Sequence, residues 1–127
     1  MLPIVNENDT TATDEIQFGD NDLLAAKLAK IFKADLLIML SAVEGLYESF
    51  DDAEKKLKLV RRVSRITKDI HAMAGKASKS GKGGMLSKID AAKIMLSMNS
   101  DMVISKGDAI NPLTRLKKSS SSTWFKK

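Results

Sequence analysis

The sequence predicts an α/β fold in which helices pack against a parallel sheet. Two segments, Asp35–Leu40 and Asp101–Ser105, are runs of apolar residues without alternation, a pattern typical of strands buried on both faces of a sheet. Each run follows an amphipathic helical segment, at Asn21–Lys33 and Gly84–Met98 respectively. Helices and strands that alternate along a chain are typical of layered α/β proteins with right-handed crossovers.

The first part of the chain predicts a strand, a helix and a second strand. The opening segment LPIVNEN, at Leu2–Asn8, contains a short apolar run without alternation, and we expect a strand there. In the helix that follows, Leu24 and Leu28 lie one turn apart, and Asp20 or Asn21 can cap the helix. The helix leads into the apolar run at Asp35, which is the second predicted strand.

The later part of the chain predicts a short strand LKLV at Leu57–Val60, a short helix near Lys68–Ala74, and then a longer helix and strand. The longer helix begins at Gly84 or Met85 and ends near Met98. One face of it carries the apolar residues Met85, Ile89, Ala92 and Leu96.

Composition narrows the classes of protein. A chain of 127 residues with 43% hydrophobic content is enough for one core. It has no cysteine and one histidine, His71, which excludes disulfides, thiolate metal sites and a histidine zinc cluster. No apolar run approaches the roughly 20 residues that cross a bilayer, and the first residues do not resemble a signal peptide. We therefore expect a cytoplasmic protein without membrane contact.

The net charge of +5 comes entirely from the last part of the chain. All the acidic residues precede Arg115, and the segment before it is balanced in charge. The final segment, RLKKSSSSTWFKK, could contact a phosphate backbone. Its serine run and low hydrophobicity favour a solvated terminus instead. We do not expect nucleic-acid binding.

Three polar clusters lie where functional residues of α/β proteins concentrate, after strands and before helices. They are Asn6–Glu15, Gly19–Asp22 and the glycine-rich loop Ser78–Lys88. Asparagines of the first two could bind the charged groups of an amino acid, and their aspartates could bind an ammonium group, a metal or a lysine. The alternative is that Asp20 and Asn21 only cap a helix and that the first cluster is a polar turn.

The glycine-rich loop also has two interpretations. Its backbone N–H groups and lysines could surround phosphates at the start of a helix. It could equally be a mobile surface turn. It is not a Walker loop, because Gly75 is one residue too far from Gly81 and because Gly83 stands where that motif needs Ser or Thr. The abrupt change into a long helix, with Lys88 in its first turn, favours the phosphate site.

Three segments together resemble the glutamate 5-kinase family, within the amino acid kinase superfamily. They are PIVNENDTTATDEIQFGDND at Pro3–Asp22, DLLIMLSAVEGLY at Asp35–Tyr47 and GKGGMLSKIDAA at Gly81–Ala92. Their order and spacing match as well. The pair NEND and GDND is the most specific part, since glycine loops are shared more widely.

The resemblance implies a three-layer α/β/α sandwich that transfers the γ-phosphoryl group of ATP, with Mg²⁺, to the side-chain carboxylate of glutamate. This is the first step of proline biosynthesis. Carried over to this chain, Asp9 and Asn21 would bind glutamate with Asn6 nearby, and Asp22 would organise the catalytic lysines. Lys88 would meet the charge that develops on the transferred phosphoryl group. The nucleotide would contact Ser41, Ala42, Gly81, Lys82, Gly83, Gly84, Met85, Leu86, Ser87 and Lys88.

The chain also departs from the family pattern. It begins at what resembles the middle of the kinase domain, so the N-terminal half, with a nucleotide loop and several strands, is absent. Ala42 replaces a usual aspartate and Lys82 a usual threonine. We expect a kinase part at residues 1–107 and a basic Ser/Lys-rich tail at residues 108–127, in which Thr123–Phe125 echoes the last strand of the domain.

Three functions of different classes follow from these features. The first is a piece of a glutamate 5-kinase that carries the enzyme's sites. The second is a noncatalytic nucleotide-binding or oligomerisation module derived from the kinase. The third is a phosphate- or RNA-binding protein that acts through the basic tail. We adopt the first, and we expect the free sheet edge left by the absent strands to favour self-association.

Overall fold

The structure is a computed structural model that describes residues 1–6, 20–48, 58–79, 84–108, 110–118 and 121–127. The described part contains the helices α1 (Asp20–Ile31), α2 (Lys68–Lys79), α3 (Met85–Ser97) and α4 (Pro112–Lys118), and the strands β1 (Leu36–Ser41), β2 (Arg62–Val63), β3 (Asp101–Lys106) and β4 (Ser122–Phe125). The predicted sequence of helix, strand, helix and strand at α1, β1, α3 and β3 is confirmed.

The four strands form one mixed sheet in the order β1, β3, β4, β2. Strands β1 and β3 are parallel, with Leu36 opposite Asp101 and Ser41 opposite Lys106. Strand β4 runs antiparallel to β3 and parallel to β2. The predicted parallel pairing of the two apolar runs is therefore confirmed, and β1 is an edge strand of the described sheet.

One face of the sheet carries the main core. Helix α3 packs between α1 and α2, and α1 and α3 also contact β1 and β3. Buried alanines, among them Ala26 of α1 and Ala92 of α3, let the helix backbones approach closely. The sheet contributes alternate residues that point toward these helices, Met39, Met102, Ile104 and Phe125, as the period of two in a strand requires.

The opposite face of the sheet is only partly covered. Val103 of β3 is fully buried but lies outside the main core, and Leu116 of α4 is buried as well. Helix α4 contacts β3, so it covers this face over the centre of the sheet. Over β1 the same face remains open, and three of its side chains stay exposed: Leu36, Ile38 and Leu40.

The strand expected within Leu2–Asn8 is wrong for the residues that the structure describes. Residues 1–6 form neither helix nor strand, and Leu2 and Ile4 are largely exposed. Apolar side chains alone do not make a strand, because the backbone of a strand needs a neighbour to hydrogen-bond with. No described strand pairs with this segment.

The region between β1 and α3 is also arranged differently from the prediction. In the described part of the expected strand LKLV, the structure has only an isolated bridge between Leu59 and Tyr47. The regular strand β2 lies later, at Arg62–Val63. Leu57 lies outside the described residues. Helix α2 extends to Lys79, so it is longer than the expected helix at Lys68–Ala74. The sequence pattern did not predict this extension, because the polar KASK segment, Lys76–Lys79, carries no apolar stripe.

The solvated terminus expected after Arg115 is wrong. Helix α4 was not predicted, and β4 lies inside the sheet between β3 and β2. Thr123 and Phe125 are fully buried. The short strand that the resemblance indicated at Thr123–Phe125 is confirmed as β4. The serine run before it gave no pattern of its own, because a four-residue strand in the middle of a sheet takes its hydrogen bonds from its neighbours.

Candidate active site

Helices α1 and α3 begin at the same edge of the sheet. Each helix leads through a short connection into its strand, α1 into β1 and α3 into β3. Because β1 and β3 are parallel, both helices run opposite to them, and both helix N-termini lie at the carboxyl ends of the strands. Ligands of open α/β sheets bind at this edge, and two helix N-termini favour a negatively charged group there.

A compact polar cluster joins these two N-termini. Lys88 Nζ lies 2.9 Å from Asp22 Oδ2, with only 14% of the lysine side chain and 17% of the aspartate side chain exposed. Ser87 Oγ lies 2.7 Å from the same oxygen. Asp22 therefore accepts hydrogen bonds from two neighbouring residues of α3. The partial burial shields the ion pair from water, which strengthens the attraction relative to a surface pair.

The single proton of the Ser87 hydroxyl has two acceptors within reach. Its oxygen is 2.7 Å from the Gly84 carbonyl as well as from Asp22. The Gly84 carbonyl already accepts the Lys88 backbone N–H at 3.2 Å. The carboxylate is the stronger acceptor because it is charged. We infer that Ser87 donates to Asp22 and fixes the orientation of that carboxylate.

Lys88 occupies an unfavourable place for a cation. It lies in the first turn of α3, where the helix dipole is positive and no acidic residue precedes it within the helix. A lysine at that end loses about 0.3–1 kcal/mol rather than gaining it. Asp22 compensates this in the structure. A lysine held against the dipole by a single carboxylate is well placed to exchange that partner for a phosphate.

Gly84 shapes the start of α3. Its φ of 94° lies in the left-handed region, and it caps the helix without a side chain. A Cβ there would be 3.7 Å from Lys88 Nζ, so the backbone passes close to the cluster. Glycine adopts this conformation at little cost, whereas other residues are strained in it.

The carboxyl end of β1 provides the second part of the site. Ser41 ends the strand, its carbonyl accepts the Gly107 N–H at 2.8 Å, and its hydroxyl lies 3.4 Å from the Val43 N–H. Ala42 follows in the bend and is exposed. The close approach of Gly107 to Leu40 leaves little room for a side chain, because a Cβ on Gly107 would lie 3.0 Å from Leu40 Cβ.

The structure brings some of the predicted site residues together and leaves others apart. Asp22, Ser87, Lys88 and Gly84 form one cluster, and Asn21 is exposed beside it. Asn6 lies in the exposed segment 1–6, and among the described residues no hydrogen bond joins it to the cluster. Met85 is buried in the core and Leu86 is half-buried. Four predicted site residues lie outside the described residues: Asp9, Gly81, Lys82 and Gly83.

Lys106 is a cation that sequence reasoning missed. It ends β3 directly opposite Ser41, and its ammonium group lies 3.7 Å from an Asp108 carboxylate oxygen. The signal that could have found it is its position, since Lys106 and Asp108 directly follow a buried parallel strand. Lys88 was predicted as a site residue because it follows a glycine-rich loop, whereas Lys106 does not follow one.

Other concave and polar features of the described residues do not coincide with this cluster. A cavity of about 600 Å³ is lined by Arg65, Lys93 and Leu96, among others, but by none of the predicted site residues. No group of three or more His, Cys, Asp or Glu side chains in the described part could hold a metal ion. Asp22 is engaged by Lys88 and Ser87, so the described residues by themselves do not build a magnesium site. No described helix is long and apolar enough to cross a bilayer.

The sequence profile described as "Amino acid kinase family" matches residues 1–106. The chain belongs to the amino acid kinase family. This confirms the resemblance drawn from the NEND, GDND and glycine-loop segments.

Curated members of this family with high similarity are glutamate 5-kinases. The chain is 46% identical over 125 residues to "Glutamate 5-kinase" of Nitrobacter winogradskyi. The matched segment covers 98% of this chain and 33% of that protein. It is 44% identical to "Glutamate 5-kinase 1" of Mesorhizobium japonicum, with coverage of 98% and 33%. The chain thus spans about a third of the length of the curated relatives that it matches.

A solved structure from Aeropyrum pernix shows the same fold. It superposes with a TM-score of 0.56 at 23% identity, over 84% of this chain and 32% of the other chain. Together with the family match, this confirms the expected α/β fold of the amino acid kinase type.

Proposed function

We propose that this chain carries the phosphoryl-transfer cluster of a glutamate 5-kinase, in which Lys88 is the catalytic cation and Asp22 positions it. The observation that carries this proposal is the contact of Lys88 and Ser87 with Asp22 where the N-termini of α1 and α3 meet. The similarity to glutamate 5-kinases supports the choice of substrates, ATP and glutamate.

In the proposed reaction, an oxygen of the glutamate side-chain carboxylate attacks the γ-phosphorus of ATP. The bond from that phosphorus to the oxygen bridging the β and γ positions breaks, and ADP leaves with the electron pair. The products are glutamyl 5-phosphate and ADP, as in the first step of proline biosynthesis. Both reactants are anions, so catalysis requires that they be held in line and that their repulsion be neutralised.

Lys88 supplies this neutralisation in the proposed mechanism. Before the nucleotide binds, its charge is paired with Asp22. When the terminal phosphate enters beside the two helix N-termini, the ammonium group can donate to a phosphate oxygen while Asp22 keeps one of its hydrogen bonds. Removing one preorganised donor from a developing charge commonly lowers kcat by about 10²–10³-fold.

The other predicted residues complete the proposed site. Asn21, exposed beside Asp22, would bind glutamate together with Asp9 and with Asn6. Ser41 and Ala42, at the carboxyl end of β1, would contact the nucleotide on the other side, and the loop from Gly81 would wrap its phosphates. These assignments rest on the resemblance to glutamate 5-kinases.

The experiment replaces the matching segment of the Nitrobacter winogradskyi glutamate 5-kinase with the 125 matched residues of this chain. ADP formation is measured with ATP and glutamate for the grafted enzyme. The variant Lys88→Ala is expected to lower kcat by about 10²–10³-fold, with a much smaller change in the KM for ATP.

The matched control is Lys27→Ala, which removes an exposed lysine of α1. We expect kcat within a factor of about two of the unmodified graft, as is usual for surface substitutions away from a site. An unchanged kcat in Lys88→Ala, in a graft that is active and folded, would remove Lys88 from the mechanism.

The second candidate is a noncatalytic nucleotide-binding or oligomerisation module derived from the kinase. It agrees with the two helix N-termini beside Lys88, which favour a negatively charged group whether or not that group is transferred. The 127-residue chain alone distinguishes the two in a titration with ATP. Nucleotide binding without transfer to glutamate, by both the chain and the grafted enzyme, supports the module.

A further inference from the structure

Lys106 is a partly exposed lysine at the end of β3. In the register of the two parallel strands it lies directly opposite Ser41, and 38% of its side chain is exposed. Residues that lie directly opposite each other in neighbouring strands point to the same face of the sheet. The side chains of Lys106 and Ser41 therefore lie side by side at the carboxyl end of the sheet.

The face that these two side chains share is the one that carries α1 and α3. Side chains alternate between the two faces of a strand, so Lys106 points to the same side as Ile104. Ser41 points to the same side as Met39 for the same reason. Ile104 and Met39 both belong to the core that the sheet forms with these helices. Lys106 is thus the next side chain on that face beyond the core, where the sheet meets solvent.

The first turn of α3 lies above this end of β3. A helix of 13 residues is about 20 Å long, and a strand of six residues is also about 20 Å long. Helix α3 runs opposite to β3 and packs against it, so the helix begins where the strand ends. Lys106 is therefore on the same side and at the same edge of the sheet as Lys88 and Asp22.

The ion pair of Lys106 leaves its ammonium group available to a ligand. Its partner is Asp108, whose carboxylate oxygen is 3.7 Å away and whose side chain is 67% exposed. An exposed ion pair contributes little free energy, because water solvates both charges. Exchange of this partner for an anion of higher charge, such as a phosphate, therefore costs little.

A nucleoside triphosphate brings several negative charges to this edge, and Lys88 supplies one positive charge that is paired with Asp22. In the proposed function Lys88 contacts the terminal phosphate, and Ser41 contacts the nucleotide on the other side of the site. The phosphates that remain on ADP lie between these two contacts. Lys106 stands beside Ser41 and on the same face as Lys88, so its charge lies next to those phosphates.

We propose that Lys106 binds a phosphate of the nucleotide that is not transferred, and that it sets the affinity of this chain for ADP and ATP rather than the rate of transfer. When the nucleotide enters, the ammonium group leaves Asp108 and donates to a phosphate oxygen. The proposal rests on the nucleotide site of the proposed function and not on the transfer to glutamate. A contact that is equally strong before and during the reaction lowers KM without changing kcat.

The test measures the binding of ADP to the grafted enzyme by isothermal titration calorimetry, without glutamate. Lys106→Met removes the charge and keeps an apolar stem. We expect the Kd for ADP to rise by about 10–100-fold, as for the loss of one hydrogen bond to a charged group. Adenosine, which carries no phosphate, should bind equally to the variant and to the unmodified graft.

Steady-state kinetics of the same variant provide a second measurement. The KM for ATP should rise by a similar factor, with a much smaller change in kcat. This is the reverse of the result expected for Lys88→Ala, so the two lysines are distinguished in one assay.

Two further variants separate a ligand contact from a structural ion pair. Asp108→Asn removes the partner and leaves the lysine, so the affinity for ADP should stay the same or increase. Lys126 is the matched control, because it forms an ion pair of the same length, 3.7 Å, with Asp101 at the opposite end of β3. Lys126→Met should leave the binding of ADP unchanged.

Three results would overturn the proposal. The first is a folded graft that does not bind ADP, or whose Kd for ADP is unchanged by Lys106→Met. The second is an equal loss of affinity in Lys106→Met and Asp108→Asn, which would show a structural ion pair. The third is a fall in kcat at constant KM, which would place Lys106 at the transferred group. A graft that binds ADP through Lys106 but does not phosphorylate glutamate would support this proposal and contradict the proposed function alone.

Discussion

Ser87 is the residue whose role the structure changes most. The resemblance places it among nucleotide-binding residues, whereas its hydroxyl lies 2.7 Å from Asp22 Oδ2. If it positions Asp22, Ser87→Ala should lower kcat of the grafted enzyme by roughly 3–10-fold, the equivalent of one hydrogen bond of about 1 kcal/mol, with little change in the KM for ATP. Ser87→Thr, which keeps a hydroxyl, is the control. A rise in KM alone would indicate direct contact with the nucleotide.

Thr123 connects the loop after β1 to the sheet. Its hydroxyl accepts the Leu46 N–H at 2.9 Å and donates to the Val60 carbonyl at 2.6 Å. Thr123→Val keeps the shape and leaves these two groups without that partner, so we expect the free energy of unfolding to fall by roughly 1–3 kcal/mol. Urea denaturation measures it. Thr123→Ser should retain most of the stability, and equal stability of the valine variant would contradict this role.

Tyr47 predicts a pH dependence at high pH. Partial burial raises its pKa to about 12, and the hydrogen bond it donates to Glu44 at 2.8 Å and the charge of that carboxylate act in the same direction. The folded state therefore holds the phenol proton more tightly than the unfolded state, in which the pKa is about 10. The contribution of Tyr47 to stability is complete below about pH 10 and is lost as pH rises toward about 12.

The measurement compares unfolding curves of the unmodified chain and Tyr47→Phe between about pH 9 and about pH 12, a window that spans both pKa values. The difference in stability between them should shift against the unmodified chain as pH rises. A difference that is constant over this range would show that the tyrosine ionises equally in both states.

At the scale of elements, one glycine at a helix cap and one inside a helix predict opposite effects of the same substitution. Gly84 caps α3 with a φ of 94°, and the nearest atom to an added Cβ is 3.7 Å away. Gly84→Ala is therefore costly through its backbone conformation rather than through a clash, by roughly 1–2 kcal/mol. Gly75 lies inside α2 with nothing within 4 Å of an added Cβ, so Gly75→Ala should raise stability by roughly 0.5–1 kcal/mol.

Thermal unfolding of both variants checks this pair. Gly84→Ala should also lower kcat in the grafted enzyme, since the start of α3 carries Lys88, while Gly75→Ala should not. Destabilisation by both substitutions would contradict the open surroundings of Gly75 in α2.

The elements that could be predicted are those with a pattern of their own. Helices α1 and α3 carry apolar stripes, and β1 and β3 are apolar runs, so local sequence was enough to find them. Strand β4, which only the resemblance indicated, and residues 1–6 show the limit of local patterns. The segment STWF becomes a strand because β3 and β2 flank it, and the more apolar LPIV does not, because no described neighbour pairs with it. Pairing is a property of the sheet and cannot be deduced from either segment.

The same distinction applies to the candidate site. The types of residue and the edge of the sheet could be predicted, because Asp22 and Lys88 each lie at a helix start beside a parallel strand. The resemblance implied that Asp22 organises catalytic lysines, but local patterns could not show its contact with Lys88. The two residues are 66 positions apart, and the packing of α1 on α3 brings them together. The hydrogen bond of Ser87 to Asp22 and the position of Lys106 opposite Ser41 depend on the same packing and register.

At the scale of the whole molecule, the open edge and the phosphoryl-transfer cluster belong to the same sheet. Strand β1 carries the uncovered face along its length and Ser41 at its carboxyl end.

The position of a bound nucleotide tests the central claim most directly. The measurement is a crystal structure of the grafted enzyme with glutamate and a nonhydrolysable ATP analogue. We predict that Lys88 Nζ lies about 3 Å from an oxygen of the terminal phosphate, within hydrogen-bonding distance, while Asp22 still contacts Ser87. A terminal phosphate bound away from the N-termini of α1 and α3, with Lys88 paired only to Asp22, would contradict the account.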